Sequence, residues 1–438
     1  MIEAAIVNNV EITKLLLEHK ADINESDVTG RTALHWSTHN DNYSLTELLL
    51  QHEANPNAYS LSSQPILVTP LLRGFTRVKK LLYQYGADLK FAQDFISAKL
   101  LGHRYELKGQ VDIVTPKNEF IEFDFEGFFL EVTLGILRDS LHRYRNHFIA
   151  RHLRGFFHHI HELIYAFDTA CELVKFQRYT VNVNHHQKQI DTLLNRKLLI
   201  LPVGYEGHAV TFIKYENLLV KCDRGEESRN LGGGVFVYQI TNPDAMNKQF
   251  LKRLLYTKHN GDFINYKLHQ ILGLKQLYQF PLSSQISGNC SWANVEACVP
   301  LTLFLLFYRQ PNMINNLKHS EELALNFYQE WHAWDQDRAL YDCIQSFYEA
   351  SPQRQASKTM ILAAILFQSC LDISIKKNVQ RAEKILKVLT LPDFKPLLQS
   401  YVNVYYIDSP TAEGKQLVGL LNYCDIDFEI ANKGRANY

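Results

Sequence analysis

Leu48-Leu49-Leu50, followed by Ala54-Asn55-Pro56-Asn57, lies between two near-copies of itself. Leu15-Leu16-Leu17 with Ala21-Asp22-Ile23-Asn24 precedes it by 33 residues, and Leu81-Leu82-Tyr83 with Ala87-Asp88-Leu89-Lys90 follows at the same interval. A period of this length implies units of one helix pair each. Such a pair cannot bury its own apolar face, so neighbours stack into a continuous core. The small and apolar positions suit that stacking: Ala4, Ala5, Leu15 and Leu16 in one unit, Leu34, Ser37, Leu48 and Leu49 in the next.

The stretch Thr29-Gly30-Arg31-Thr32-Ala33-Leu34-His35 lies between the first two units. With the period, it resembles the ankyrin repeat, whose Thr-Pro-Leu-His signature it nearly reproduces, with Ala33 where proline is usual. His35 is read as a bridge between adjacent turns, not as a metal ligand. One period before Gly30 falls ahead of Met1, so the first unit starts inside its own first helix. That start is either an atypical capping repeat or a trimmed one. In the third unit Ser62-Ser63-Gln64-Pro65 replaces the Thr-Gly turn, and a fourth helix, Phe95–Leu101, is in phase before the pattern stops. Three repeats is about the minimum for a stable stack, so another domain is expected to cover its open end.

At 438 residues the chain has room for two or three domains. Hydrophobic residues make up 46% and charged residues 21%, the balance of a globular protein. A formal net charge of zero gives no reason to expect nucleic acid or an acidic membrane as partner. The cysteines, at 171, 222, 290, 298, 343, 370 and 424, are scattered and contain no Cys-x-x-Cys pair. This speaks against a disulfide framework and a zinc ribbon, and for reducing surroundings. No signal-peptide pattern opens the chain, and the apolar run Cys298–Phe307 is too short to span a bilayer.

Gln110–Val114 and Glu119–Phe125 alternate apolar with polar about Pro116-Lys117-Asn118, a hairpin pattern. From Leu134 to Lys175 the period turns helical and the stretch is rich in histidine: His142, His147, His152, His158, His159 and His161. Only Glu162 stands at ligand spacing, so these histidines are assigned to a solvated or hydrogen-bonded face, with no metal or cofactor.

A second hairpin carries chemistry. Leu198–Val203 reads as a buried strand, His208–Ile213 as the next, Tyr215-Glu216-Asn217 as a turn and Leu218–Cys222 as the return, ending at Asp223-Arg224-Gly225. Pairing about Glu216-Asn217 brings His208 and Asp223 to one end of the sheet. A carboxylate there can accept Nδ1–H of the imidazole, fix its tautomer and leave Nε2 as a base. Glu226, Glu227 and Asn230 are rivals of Asp223 for that role.

The last chemical element is Gln285-Ile-Ser-Gly-Asn-Cys290-Ser-Trp292-Ala-Asn294, a loop running into an apolar helix. A cysteine at a helix start meets unpaired N–H groups and the positive end of the dipole, which favour thiolate. The Cys290 N–H and the Gln285 amide can together form an oxyanion hole. The order His208, Asp223, Gln285, Cys290 resembles the peptidases of the adenain and ubiquitin-like-protein protease clan, which includes bacterial effector proteases and acetyltransferases. No Trp follows His208, where many members have His-Trp. The resemblance covers residues 198–310 and implies Cys290 as nucleophile, His208 as base, Asp223 as orienter and Gln285 as oxyanion donor.

Gly232-Gly233-Gly234 before Val235–Ile240 lacks a nucleotide-loop spacing and reads as a turn into a strand. Asn247–Tyr256 and Asp262–Leu274 look helical. Further helical blocks follow at 291–308, with a kink or break from Pro300, and at 318–349, 354–373, 377–390 and 410–422. Glu330-Trp331-His332-Ala333-Trp334-Asp335 is read as surface with an aromatic anchor. Leu417–Leu421 with Cys424-Asp425-Ile426-Asp427 echoes the end of a repeat.

These readings give an α+β protein: ankyrin repeats over 1–105, a cysteine-protease-like module over 106–310, and a helical region over 311–438 that can pack back on the repeats. The combination resembles ankyrin-repeat effectors injected by intracellular bacteria. That resemblance implies secretion into a host cell, in its cytoplasm or nucleus, and a host protein held by the repeats. Peptide or isopeptide hydrolysis, acyl transfer, and an inert docking fold remain open.

Overall fold

Asn9 and Asn42, one period apart, each precede a helix, and the side chain of each accepts a backbone N–H three residues on. Phe75 holds the equivalent place in the third repeat and cannot cap. In the computed structural model, α1 (Ile2–Ile6) with α2 (Val10–Glu18), α3 (Ala33–His39) with α4 (Tyr43–Gln51), and α5 (Val68–Arg73) with α6 (Thr76–Gln84) make three successive helix pairs. Asparagines at the repeat ends stitch them together. Asn24 Oδ1 accepts from Asn55 N–H at 2.9 Å, and Asn57 Oδ1 from Asp88 N–H at 2.7 Å. Leu49 and Leu82 are fully buried. Leu15 differs: it is 54% exposed against 3% for Leu81. His35 is buried, and its Nδ1 accepts from Thr32 N–H at 3.0 Å, closing the turn at the start of α3.

The structure describes residues 1–178, 181–225, 234–285, 288–310 and 316–429. Two units emerge, one of residues 1–125 with 336 onward, the other of 126–335. In the first, α7 (Leu89–Arg104) is longer than the in-phase Phe95–Leu101, because the Asp88 carboxylate caps it early through Phe91 N–H. The hairpin β1 (Gln110–Val114) and β2 (Phe120–Asp124) follows, with Val114 opposite Phe120. Ser63 of the third repeat donates to the Glu122 carbonyl at 2.5 Å, so this hairpin meets the stack directly.

The second unit begins with α8 (Leu130–Asn146) and α9 (Phe157–Lys175). The single helical stretch expected over 134–175 is interrupted by a 3-10 segment, Phe148–Phe156. After α10 (Gln187–Leu194) comes an antiparallel sheet in chain order: β3 (Leu198–Tyr205), β4 (His208–Tyr215), β5 (Leu218–Cys222), β6 (Val235–Ile240) and β7 (Leu274–Phe280). Helices α11 (Lys248–Tyr256) and α12 (Leu268–Leu272) connect β6 to β7. Leu173, Leu201, Val210, Phe212, Leu254 and Leu268 close one apolar core between helices and sheet.

The expected block 291–308 is two helices, α13 (Cys290–Glu296) and α14 (Cys298–Tyr308), parted at Ala297. Pro300 has no N–H to give the Glu296 carbonyl, so the ladder lapses there. By length and composition Cys290–Tyr308 could cross a membrane, but nearly all of it is buried inside the protein, as a core helix is.

The chain ends in helices α15 (Leu317–Tyr348), α16 (Pro352–Ser369), α17 (Lys376–Leu389), α18 (Lys395–Val402) and α19 (Ala412–Tyr423). Trp331 and Asp335, one turn apart on α15, are buried, not surface. Ser140 joins them, receiving the Trp331 Nε1–H at 3.1 Å and donating to Asp335 Oδ1 at 2.6 Å. In the first unit α16 packs on α7 and β1: Asp94 pairs with Arg354 at 2.5 Å and Lys358 at 3.0 Å, and Ser357 donates to the Asp112 carbonyl.

Candidate active site

Strands β4 and β5 pair from Tyr215 opposite Leu218 to Thr211 opposite Cys222, and there the ladder stops. His208, at the start of β4, and Asp223, just past β5, therefore stand at the same end of the sheet. The His208 Nε2–H donates to Asp223 Oδ1 at 3.0 Å. This is the other ring nitrogen from the one expected. Asp223 lies level with Val210, two residues from His208, so the outer nitrogen spans the gap. The His208 side chain also lies beside Cys290, which opens α13, close enough for each to shift the other's ionisation. His208, Asp223 and Cys290 thus come together. Tyr205 meets the imidazole edge-on at 5.5 Å between centroids.

The electrostatics follow from these contacts. The bond to Asp223, then the neighbouring Cys290, raises His208 to about 9 despite partial burial. Burial pushes the Asp223 carboxyl up, but the His208 bond and the Lys221 ammonium outweigh it and hold it below the usual range. Lys221, itself buried, lies 3.5 Å from Asp223 Oδ2. Burial likewise pushes the Cys290 thiol up, but the neighbouring His208 and the Ala209 N–H outweigh it, leaving it below its ordinary value. At Cys171, Cys343 and Cys370 burial outweighs the charges of Arg138, Lys358 and Arg381 and drives all three up. Cys290 is the thiol set up to ionise.

Gln285 is buried, and its N–H donates to the Arg224 carbonyl at 2.7 Å, so it lies against the segment that carries Asp223. The rivals Glu226, Glu227 and Asn230 lie outside the described residues. Among the described residues, no group of three or more His, Cys, Asp or Glu is placed to hold a metal. In the histidine-rich stretch, His152 faces Glu330 at 2.9 Å and His159 contacts Gln310.

Sequence reasoning missed three supports. Gly225 donates its N–H to Asp223 Oδ1 at 3.2 Å, and a Cβ there would come 3.0 Å from that oxygen. Gly288 holds a left-handed φ of 78°, and a side chain there would strike Glu126. Asn294 is fully buried and spans the hairpin, accepting from Arg224 N–H at 2.8 Å and donating to the Ala209 carbonyl at 2.7 Å. Its spacing of four from Cys290 puts both on one helix face, the one signal the sequence held for it.

The molecule is an α+β ankyrin-repeat protein whose second unit brings together a cysteine, a histidine and an aspartate. Residues 1–60 match the family model for ankyrin repeats, in three copies. The solved structure of the Legionella effector AnkH is 45% identical to it, covering 98% of this chain and 91% of that one, with a TM-score of 0.82. The chain belongs to the AnkH effector family. No curated protein matches it.

Proposed function

We propose that this chain is an effector secreted into a host cell, where its repeats hold a host protein and Cys290 cleaves a peptide or isopeptide bond. One observation carries the reading: the His208 ring is hydrogen-bonded to a buried carboxylate and lies beside the thiol at a helix start. The Cys290 thiolate attacks the carbonyl carbon, and the oxygen's developing charge is met by the Cys290 N–H and the Gln285 amide. The His208 imidazolium gives its proton to the leaving amine as the C–N bond breaks, leaving a thioester. A water molecule, deprotonated by His208, then displaces the thiolate and releases the acid. An amine in place of that water would make the same step acyl transfer. No cofactor is required.

A second reading is a non-catalytic adaptor, and the repeats favour its binding half. The bridges Ser26–Thr32 and Tyr59–Pro65 make two turns, one period apart, that present Val28 at 94% and Leu61 at 77% exposure. Large apolar side chains so exposed at matching positions suit a protein partner.

Thiol alkylation of the intact protein, mapped by mass spectrometry, separates the readings. In the catalytic reading Cys290 reacts fastest of the cysteines at pH about 6, where free thiols are almost wholly protonated. His208→Ala abolishes that lead, and Asp223→Asn weakens it less. Cys290 reacting no faster than Cys424, and indifferent to His208, would establish the adaptor.

A further inference from the structure

Beyond the last pair of the β4–β5 ladder, Thr211 with Cys222, the two strands carry Ala209 and Arg224 apart from one another. The Asn294 side chain occupies that gap. It takes the Arg224 N–H at 2.8 Å and gives its own N–H to the Ala209 carbonyl at 2.7 Å. A primary amide has the donor and acceptor of a peptide unit, so Asn294 stands in for the ladder bonds that end at Cys222. Three residues spaced by four, two on α13 and one at the start of α14, meet this end of the hairpin in turn. Cys290 meets His208, Asn294 meets Ala209 and Arg224, and Cys298 Sγ lies 3.8 Å from Cys222 Sγ. Ala209 adjoins His208, and its N–H helps hold the Cys290 thiol below its ordinary value, while Arg224 adjoins Asp223.

We propose that Asn294 is a positioning residue for the thiol site. Its amide fixes the spacing between the strand that carries His208 and the segment that carries Asp223, and ties both to the helix that begins at Cys290. The inference rests on the thiol-catalysis reading above. A buried amide bonded on both sides tolerates neither loss of its donor nor a second negative charge near the Ala209 carbonyl.

The test is the pH profile of Cys290 alkylation in the full chain, with folding checked by circular dichroism and melting. Asn294→Leu keeps the branching at Cγ, with a somewhat larger side chain, and removes both bonds. We expect its rate at pH about 6 to fall at least tenfold, the loss that accompanies a thiol pKa raised by about one unit. Asn294→Asp supplies a rescue that a purely structural role would not show. Its protonated carboxyl donates to Ala209 and accepts from Arg224, so the ratio to wild type stays near one in acid. As pH rises the buried carboxyl ionises, the donor is lost and the ratio falls. Should Asn294→Leu fail to fold, the Asp profile alone decides. Folded variants that melt earlier but keep the wild-type profile would overturn the inference. A wild-type Cys290 that titrates as an ordinary thiol and ignores His208→Ala would instead overturn the thiol-catalysis reading.

Discussion

An imidazole with a carboxylate on one side and a thiol on the other gains from its charge twice. His208 is in that position, and its proton is held up to about 9 by Asp223 and then Cys290. Because the folded value lies above the ordinary one near 6.5, the stabilisation is full below that ordinary value. It is lost as pH rises through the folded one. Ring-labelled NMR should therefore show His208 keeping its proton through neutral pH and losing it near 9, with Cys290→Ala moving the midpoint down. A midpoint at the ordinary value in the wild type would show that the ring is not so paired. The pairing of His208 with Asp223 was legible in the sequence, since a two-residue turn sets the register of both strands. Which nitrogen faces the carboxylate was not, because that depends on how far past the ladder the acid sits.

At the scale of elements, the repeats were legible and the breaks between elements less so. Leu49 and Leu82 lie one period apart and are both fully buried. Leu→Ala at either should destabilise the first unit by about 2–5 kcal/mol, read as a lower denaturation midpoint. The same change at Leu15, half exposed at the start of the stack, should have far less effect. Equal effects at all three would mean that the phase of the repeat is wrong. Strand β7 escaped the sequence reading. Its apolar and polar residues do not alternate cleanly, because the register slips at Val237–Tyr238 of its partner strand and leaves Leu277 out of the pairing. Trp331 and Asp335 escaped it too, because a tryptophan and a carboxylate on one helix face look like surface until Ser140 supplies a bond to each.

For the whole molecule, the proposed function assigns the two units separable roles. Val28→Asp with Leu61→Asp changes only exposed turn residues in the first unit. It should abolish binding of the host partner and leave the alkylation rate of Cys290 unchanged. Cys290→Ala, in the second unit, should keep binding and lose hydrolysis of that partner. Binding and labelling measured on the same preparations check both. Loss of labelling in the repeat variant would show that the two activities are not independent.

Features controlled by pattern along the chain were legible before folding. The 33-residue period gave the helix pairs, strand alternation and a tight turn gave the hairpin, and a polar loop before an apolar run gave the helix start at Cys290. Each depends on neighbours within one or two turns of chain. What joins them was set by packing between distant segments. That packing brought Cys290 to a hairpin some eighty residues earlier, placed the Asn294 amide between the diverging strands, and set Arg224 against Glu296 in a buried pair at 3.9 Å. Those contacts are chosen by packing of the whole unit, where a side chain far away in sequence fills a vacancy that local pattern cannot describe.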